Sequence, residues 1–198
     1  MDGFAQLLEI MRFSFEWMQA PEGSSVYLRL STRLLEQPER ELSAAQRRDI
    51  IEGGYWHGDG PGSSSAAGRT PRCVVVFAGA ILPEVQDALA RVRATVDPHA
   101  ALLQVTSTDR LHAGWAEGGG GASHVEQLLE EVPAGATLIT VNDAHPASLS
   151  WLGAVHGHRV KPLGVSQFGQ SGNLPDLYAH YGIGADAIVE ACEQACRR

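Results

Sequence analysis

The alternation of short apolar strands with helical segments is the feature that most restricts how this chain can fold. The run CVVVF at residues 73–77 is continuously apolar, as is typical of a parallel strand buried on both faces. Further strands are predicted at 101–106, 137–141 and 159–163, and helices at 82–96, 108–115, 123–131 and 145–155. Because such strand–helix–strand units form right-handed crossovers, we predict an α/β domain at residues 71–198 with an open, mostly parallel sheet in three layers.

The first predicted helix, at residues 3–19, carries two apolar faces. One stripe contains Phe4, Leu7, Leu8, Met11, Phe15 and Met18, and the other contains Ile10, Phe13 and Trp17. A helix that covers a single core needs only one apolar stripe. We therefore expect the stripe of Phe13 and Trp17 to meet another layer, another subunit or a part of the protein outside this sequence. The alternative is a helix that is central to its own domain.

The segment between this helix and the α/β domain has too little structure to complete a sheet. Residues 25–31 are predicted to form one strand, and residues 42–51 a helix that is capped by Ser43 and ended by Gly53. The Gly-, Ser- and Ala-rich run at 57–70 is typical of a flexible linker and lacks the spacing of a phosphate-binding loop. We thus predict a partial α/β segment at 1–56, ahead of the linker.

Composition and charge exclude several classes of function. The net charge is −8, with 44% hydrophobic and 19% charged residues, which disfavours binding to nucleic acid or to anionic membranes. The sequence has no run of about 18 apolar residues that could span a bilayer, and no signal segment, so a cytoplasmic location is expected. The 3 cysteines lack the spacing of a disulfide framework. Cys192 and Cys196 would share a helix face, which hints at two metal ligands, but two small buried residues are the simpler interpretation.

Two polar clusters follow predicted strands and are the best local candidates for a site. They are TSTDRLH at 106–112 and NDAHP at 142–146, and ligands of open α/β sheets bind at the carboxyl ends of strands. The candidate ligand or interface residues are Thr108, Asp109, Arg110, His112, Asp143 and His145. Arg110 and the helix start could hold an anion, with Asp143 and His145 as an acid–base pair. Helix capping explains the same residue types more simply.

Other catalytic patterns are weaker. Ser171 in FGQSGN misses the GxSxG spacing of a hydrolase nucleophile, because Asn173 stands at the last position. His156 and His158 could bind a metal together with His145, although a chain with 8 histidines produces such a coincidence readily. No catalytic, cofactor-binding or metal-binding residue is therefore assigned from these patterns.

The order of segments near the C-terminus is specific enough to resemble a known family. Residues 159–190 read RVKPLGVSQFGQSGNLPDLYAHYGIGADAIVE, and they follow TSTDRLHAGW, TLITV and NDAHPASLSWLG. Together these segments resemble the C-terminal domain of transketolase-like thiamine diphosphate enzymes, above all the single-chain decarboxylating component of pyruvate dehydrogenase. SSVYLRLSTR and its flanking helices resemble the end of the preceding pyrimidine-binding domain.

The resemblance implies a structural role within a larger enzyme. In that family, two upstream domains bind thiamine diphosphate and magnesium across a dimer interface, and the C-terminal domain is generally structural. The letters Gly-Asp-Gly at 58–60 lie in the predicted linker without the downstream asparagine of the family's diphosphate motif, and the segment with the activating glutamate is not in this sequence.

The expected function is accordingly that of a structural and dimerisation portion of a thiamine diphosphate-dependent 2-oxoacid dehydrogenase or transketolase. It would bind no cofactor alone and would work with upstream catalytic domains or a second subunit, as a homodimer. The alternative is a stand-alone α/β module that binds an anionic metabolite at the carboxyl ends of its strands.

Overall fold

The computed structural model describes residues 3–35, 41–58, 60–61, 70–118 and 122–197, and side chains from residue 5 onward. Within these ranges five strands form one sheet: β1 (Gly54–Trp56), β2 (Cys73–Ala78), β3 (Ala101–Val105), β4 (Thr137–Asn142) and β5 (Arg159–Leu163). Their order is β1-β3-β2-β4-β5, with β1 antiparallel to β3 and the other neighbours parallel. The predicted open, mostly parallel α/β sheet is confirmed.

Helices cover both faces of this sheet. They are α1 (Gly3–Gln19), α2 (Ala44–Glu52), α3 (Leu82–Thr95), α4 (Thr108–Glu117), α5 (His124–Glu130), α6 (Ala147–Ser150), α7 (Gly153–His156), α8 (Leu174–His180) and α9 (Ala185–Cys196). Cys73, Val75 and Phe77 of β2 pack with α3, α8 and α9 on one face, whereas Val74 and Val76 pack with α4 to α7 on the other. Side chains that alternate along a strand thus enter two cores, which explains why CVVVF is apolar throughout. No helix in the described ranges is long and apolar enough to cross a bilayer.

The helix predicted at 145–155 is divided into α6 and α7. Through the gap the chain continues with hydrogen bonds three residues apart, from the N–H of Leu152 to the carbonyl of Leu149 (3.2 Å) and from the N–H of Val155 to that of Leu152 (3.3 Å). This tighter winding aligns Leu149, Leu152 and Val155, and all three are buried against the sheet. Packing at a three-residue period therefore replaces the regular α-helix.

The strand predicted at 25–31 is wrong. Residues 24–35, here called the strap, form neither helix nor strand and join no ladder in the described part of the chain. Val26, Leu28 and Leu30 alternate as in a strand, but a strand also needs a neighbour, and the strap instead lines a cleft at the ends of the strands.

Strand β1 was not predicted, because three residues are too short for a periodic signal. Helix α2 is capped by Ser43 and ends at Gly53, whose φ of 114° turns the chain into β1. The carbonyl of Gly53 accepts hydrogen bonds from the N–H groups of Thr106 (2.9 Å) and Ser107 (3.2 Å). The chain ahead of the predicted linker therefore completes the same sheet. Of that linker, residues 59 and 62–69 lie outside the described ranges, and the domain boundary stays a prediction.

Helix α1 half-buries the face of Ile10, Phe13 and Trp17. Phe13 lies under the guanidinium of Arg110, 4.5 Å from its ring centroid, and stacks on Trp17 at 6.2 Å. Ile10 packs on the small core of Leu42, Ile50 and Tyr55. The buried Glu9 is paired with Arg47.

The other stripe of α1 is the uncovered one. The exposed fractions are 53% for Leu8, 36% for Met11, 56% for Phe15 and 46% for Met18. We call these four residues the outer face of α1; the side chain of Phe4 lies outside the described residues. One apolar face of α1 is thus uncovered, and it is this one, whereas Phe13 meets another layer of the same chain, which was one of the expected outcomes. Periodicity shows that two stripes exist, and only tertiary contacts decide which of them is covered.

The buried imidazole of His158 makes stability depend on pH. The side chain is 5% exposed, and burial, followed by the charge of His156, lowers its pKa below the ordinary 6.5. The folded state therefore favours the neutral ring. The stability that this preference gives the fold is fully present above the unfolded pKa of 6.5, and it is lost as the pH falls from there toward the lower folded pKa. We expect the urea midpoint to fall less on acidification in His158→Leu than in the wild type. Parallel pH dependence of the two proteins would contradict this expectation.

Candidate functional site

The carboxyl ends of β2 and β4 form the crevice where an open α/β sheet binds ligands. After β2 the chain turns to α3 on one face, and after β4 it turns to α6 on the other, so the two connections diverge. Gly79 follows β2 and Asp143 follows β4. A Cβ atom on Gly79 would lie 2.3 Å from Oδ1 of Asp143, and Gly79 has a φ of 88°, so glycine lets the carboxylate lie directly over the crevice.

The strap inserts two arginines at this crevice. Arg29 donates from Nη1 to Oδ1 of Asp143 at 3.0 Å and from Nη2 to the carbonyl of Asp143 at 3.3 Å. Arg33 donates to the carbonyl of Ala80 at 2.9 Å, in the loop that follows β2. The strap therefore joins the loops of both diverging strands.

Arg33 is the more firmly held of the two arginines. Its two terminal nitrogens donate to both carboxylate oxygens of Glu84 on α3, at 2.8 and 2.7 Å, and its guanidinium lies 5.6 Å from the ring centroid of Tyr178. The side chains of Arg33 and Glu84 are only 18% and 20% exposed. This hydrogen bonding raises the pKa of Arg33, while burial raises that of Tyr178. A two-point geometry with little exposure is the arrangement in which an arginine–carboxylate pair contributes most to stability.

A cleft of about 920 Å³ lies beside these contacts, between α1, the strap and the strand ends. Thr108, Asp109 and Asp143 line it, whereas Arg110, His112 and His145 do not. The two arginines that line it, Arg29 and Arg33, are both paired with carboxylates of this chain. The cleft therefore has no excess of positive charge.

The candidate residues of the first cluster begin helix α4 and attach it to α1 and α2. Ser107 caps the helix by accepting a hydrogen bond from the N–H of Arg110 at 3.3 Å. Nε of Arg110 donates to the carbonyl of Ile51 at 2.7 Å, and its guanidinium covers Phe13. These contacts point Arg110 at the C-terminal end of α2, away from the cleft in which Thr108 and Asp109 lie.

The remaining candidates are separated from one another. His112 lies edge-on to the rings of Trp115 and Trp151, at centroid distances of 5.9 and 5.0 Å. Nδ1 of His145 accepts a hydrogen bond from the N–H of Ala147 at 3.2 Å, while the Asp143 carboxylate is bound by Arg29. Asp143 and His145 are thus held by different partners, and their use as an acid–base pair stays a prediction.

Sequence reasoning missed the residues that matter most at the crevice, Arg29, Arg33 and Glu84. The two arginines stand in SVYLRLSTR, which was interpreted as a strand, and an isolated Glu84 in the first turn of a helix is an ordinary residue. The available signal was that Arg29 and Arg33 lie on the polar side of SVYLRLSTR. This signal does not identify their partners, Asp143 and Glu84, which are distant in sequence.

Comparison with known proteins identifies the class of fold. No protein-family model and no curated protein matches this chain. Solved structures do match, and they show a transketolase-like fold. Transketolase from Leishmania mexicana has a TM-score of 0.56 and 17% identity, covering 79% of this chain and 20% of its own. Transketolase from Pichia stipitis has a TM-score of 0.53 and 15% identity, covering 79% and 20%. Transketolase from Campylobacter jejuni has a TM-score of 0.50 and 15% identity, covering 72% and 18%.

These matches have a limited extent. At 14–17% identity they establish the fold alone, and this chain spans about one fifth of the length of the transketolases. They lend no support to one substrate over another.

Thiamine diphosphate, which the sequence resemblance implies for the complete enzyme, does not fit the described residues of the crevice. A diphosphate needs unpaired cations, a metal ion or free backbone N–H groups. Arg29 and Arg33 are paired with Asp143 and Glu84, and the Asp143 carboxylate, which would repel a diphosphate, lies over Gly79. Asp59 of the Gly-Asp-Gly sequence lies outside the described ranges. The crevice of this chain is thus built for contacts within the protein.

Proposed function

We propose that this chain is the C-terminal structural and dimerisation portion of a thiamine diphosphate-dependent enzyme, a transketolase or a 2-oxoacid dehydrogenase such as the decarboxylating component of pyruvate dehydrogenase. The observation that carries the proposal is the outer face of α1, which is apolar, long and uncovered. The transketolase-like fold, matched over only a fifth of the length of complete transketolases, supports the same conclusion.

The outer face has the composition of an interface. Leu8, Met11, Phe15 and Met18 lie within one side of a 17-residue helix, and each is at least 36% exposed. Contiguous exposed apolar surface of this kind marks contacts with another protein surface. The strap adds exposed Tyr27, Leu30 and Leu34, at 87%, 63% and 97%. Covering these side chains would remove apolar area from water, at about 25 cal/mol per Å².

The occupants that we propose for this surface are upstream catalytic domains of the same enzyme and a second copy of the subunit, in a cytoplasmic homodimer. Thiamine diphosphate and magnesium would be bound by those upstream domains. In this arrangement the strap pairs Arg29 and Arg33 with the carboxylates at the crevice and orients α1. The upstream domains would perform the chemistry, and this chain would supply the packing contacts.

Reconstitution tests this proposal. The chain is mixed with a polypeptide that carries the upstream domains, together with thiamine diphosphate, magnesium and either pyruvate or a ketose phosphate. We expect activity only in the mixture, and a complex that elutes ahead of either component. A Leu42→Ala variant, which loosens the small core under α1 without touching the outer face, serves as a control for general loss of fold.

A stand-alone anion-binding module predicts a different result. In that case the chain would be a monomer that does not bind the upstream polypeptide. Calorimetry would show binding of an anionic metabolite, and Arg110→Ala or Arg29→Ala would abolish that binding. This result would exclude the structural role, because the arginines would then bind a ligand.

A further inference from the structure

All the cysteines of this chain meet at the end of the sheet opposite the crevice. Cys73 is the first residue of β2, and Cys192 and Cys196 lie on α9. Asp97 joins them from the turn between α3 and β3. One ligand atom from each of Cys73, Asp97 and Cys196 can be chosen so that all lie within 4.8 Å of one another. The Cys192 thiol contacts that of Cys73 but is not one of this group of three.

The carboxylate of Asp97 is oriented before any ligand binds. Its Oδ2 accepts hydrogen bonds from the N–H groups of Arg72 at 2.7 Å and Cys73 at 3.2 Å, and its Oδ1 accepts from the N–H of His99 at 3.1 Å. Asp97 is 2% exposed. A carboxylate has about four acceptor positions, so one remains for a further partner beside the Cys73 thiol, whose sulfur lies 3.8 Å from Oδ2.

The thiols of Cys73 and Cys196 lose their protons less readily than ordinary thiols. Contact with Cys192, followed by burial, raises the pKa of Cys73, and burial raises the pKa of Cys196 to about 12. A thiophilic cation changes this balance, because coordination removes the thiol proton.

We propose that Cys73, Cys196 and Asp97 bind a zinc ion, with a water molecule from the side of half-buried Cys196 as the fourth ligand. Two sulfurs, one carboxylate oxygen and a water form a tetrahedral set of the kind that zinc accepts, and the oxygen ligand favours Zn²⁺ over Cu⁺. On binding, two Zn–S bonds form and two protons leave to solvent, and the oxygen of Asp97 adds as an anion. Arg72, which bonds the carbonyls of Cys196 and Val96, lies beside the cluster and offsets part of its negative charge.

The site would join parts of the fold that are distant in sequence. It links the start of β2, the turn after α3 and the last helix, which also meet through apolar packing and the hydrogen bonds of Asp97 and Arg72. Half-buried Cys196 gives the ion a path from solvent, whereas Cys73 and Cys192 are fully buried. The site lies at the end of the sheet opposite the crevice, so the role that we propose for the ion is to join these segments.

Titration of the reduced full chain with Co²⁺, with a phosphine reductant present, tests the proposal. We expect one equivalent to bind with an intense thiolate-to-cobalt charge-transfer band and the visible spectrum of a tetrahedral ion, and Zn²⁺ to displace it. The thermal midpoint of the wild type should rise with Zn²⁺. In Cys196→Ser the affinity for Zn²⁺ should fall by about tenfold or more.

Ala195→Ser, one position away on α9, is the matched control and should bind as the wild type does. Cys196 is only half-buried, so its variant keeps the test valid where a Cys73 variant could fail to fold. The proposal is overturned if the wild type binds no stoichiometric metal, if binding lacks the thiolate band, or if Cys196→Ser binds Zn²⁺ unchanged. It is also overturned if unreduced protein contains a Cys73 disulfide by mass spectrometry and shows no metal binding after reduction.

Discussion

Phe15→Glu is expected to abolish assembly of this chain with its partner while leaving the chain folded. Phe15 is 56% exposed at the centre of the outer face of α1, so a carboxylate there meets water in the free chain but would be buried without a partner in the complex. We expect a loss of about 2 kcal/mol or more in association, which is roughly thirtyfold in Kd. Sedimentation of the chain with and without the upstream polypeptide measures this loss.

Two further variants make this result specific. Phe15→Leu keeps the surface apolar and should assemble as the wild type does. Phe13→Glu, on the inner face, should instead lower the thermal midpoint, because it breaks the contacts with Arg110 and Trp17. If Phe15→Glu assembles normally and Phe13→Glu does not, the outer face is not the interface and the proposed structural role loses its main support.

Gly53→Ala is expected to destabilise the fold by about 2–4 kcal/mol. Gly53 ends α2 with a φ of 114°, and a Cβ atom there would lie 2.8 Å from the carbonyl oxygen of Ser107 and 2.9 Å from Cγ of Leu111. The first of these atoms is backbone at the start of α4, so it cannot move aside cheaply. The strain would separate α2 from α4 and pull β1 away from β3. Urea denaturation measures the change.

Gly157→Ala is the matched control for that substitution. Gly157 ends α7 with a φ of 73°, but a Cβ atom there would meet nothing within 4 Å. Only the strain of a positive φ remains, so the free energy of unfolding should fall by about 1 kcal/mol. Equal losses in the two variants would show that the close approach to Ser107 plays no part.

The regular part of the fold was predictable because its signals are local. CVVVF, the strands at 101–106 and 137–141 and the last strand at 159–163 correspond to β2 to β5, and the Gly53 stop of α2 is where the sequence places it. Apolar periodicity, caps and glycine stops act over a few residues. The failures are the strap, whose extended pattern has no pairing partner in the described chain, and β1, which is too short to show a period.

The candidate site was predictable only in its location. A parallel sheet brings its strand ends together, so the polar clusters at 106–112 and 142–146 were expected to be near each other. Which side chains enter the crevice depends on residues that are distant in sequence. Arg29 binds the Asp143 carboxylate, and contacts with Phe13 and with the carbonyl of Ile51 hold Arg110 outside the cleft. Capping by Ser107 is the one local interaction of that cluster that the sequence predicted and the structure contains.

The sequence by itself determined the α/β class of this protein, the order of its elements, the presence of two apolar stripes on α1 and the family that its C-terminal run resembles. These depend on spacing along the chain, which short-range sterics and burial convert directly into helices and strands. Only the tertiary structure decided that Phe15 faces outward, that Arg29 and Arg33 pair with carboxylates at the crevice, and that Cys73 and Asp97 meet Cys196. The physical reason is that each of these outcomes is a contact between distant segments, for which a single sequence contains no local signal.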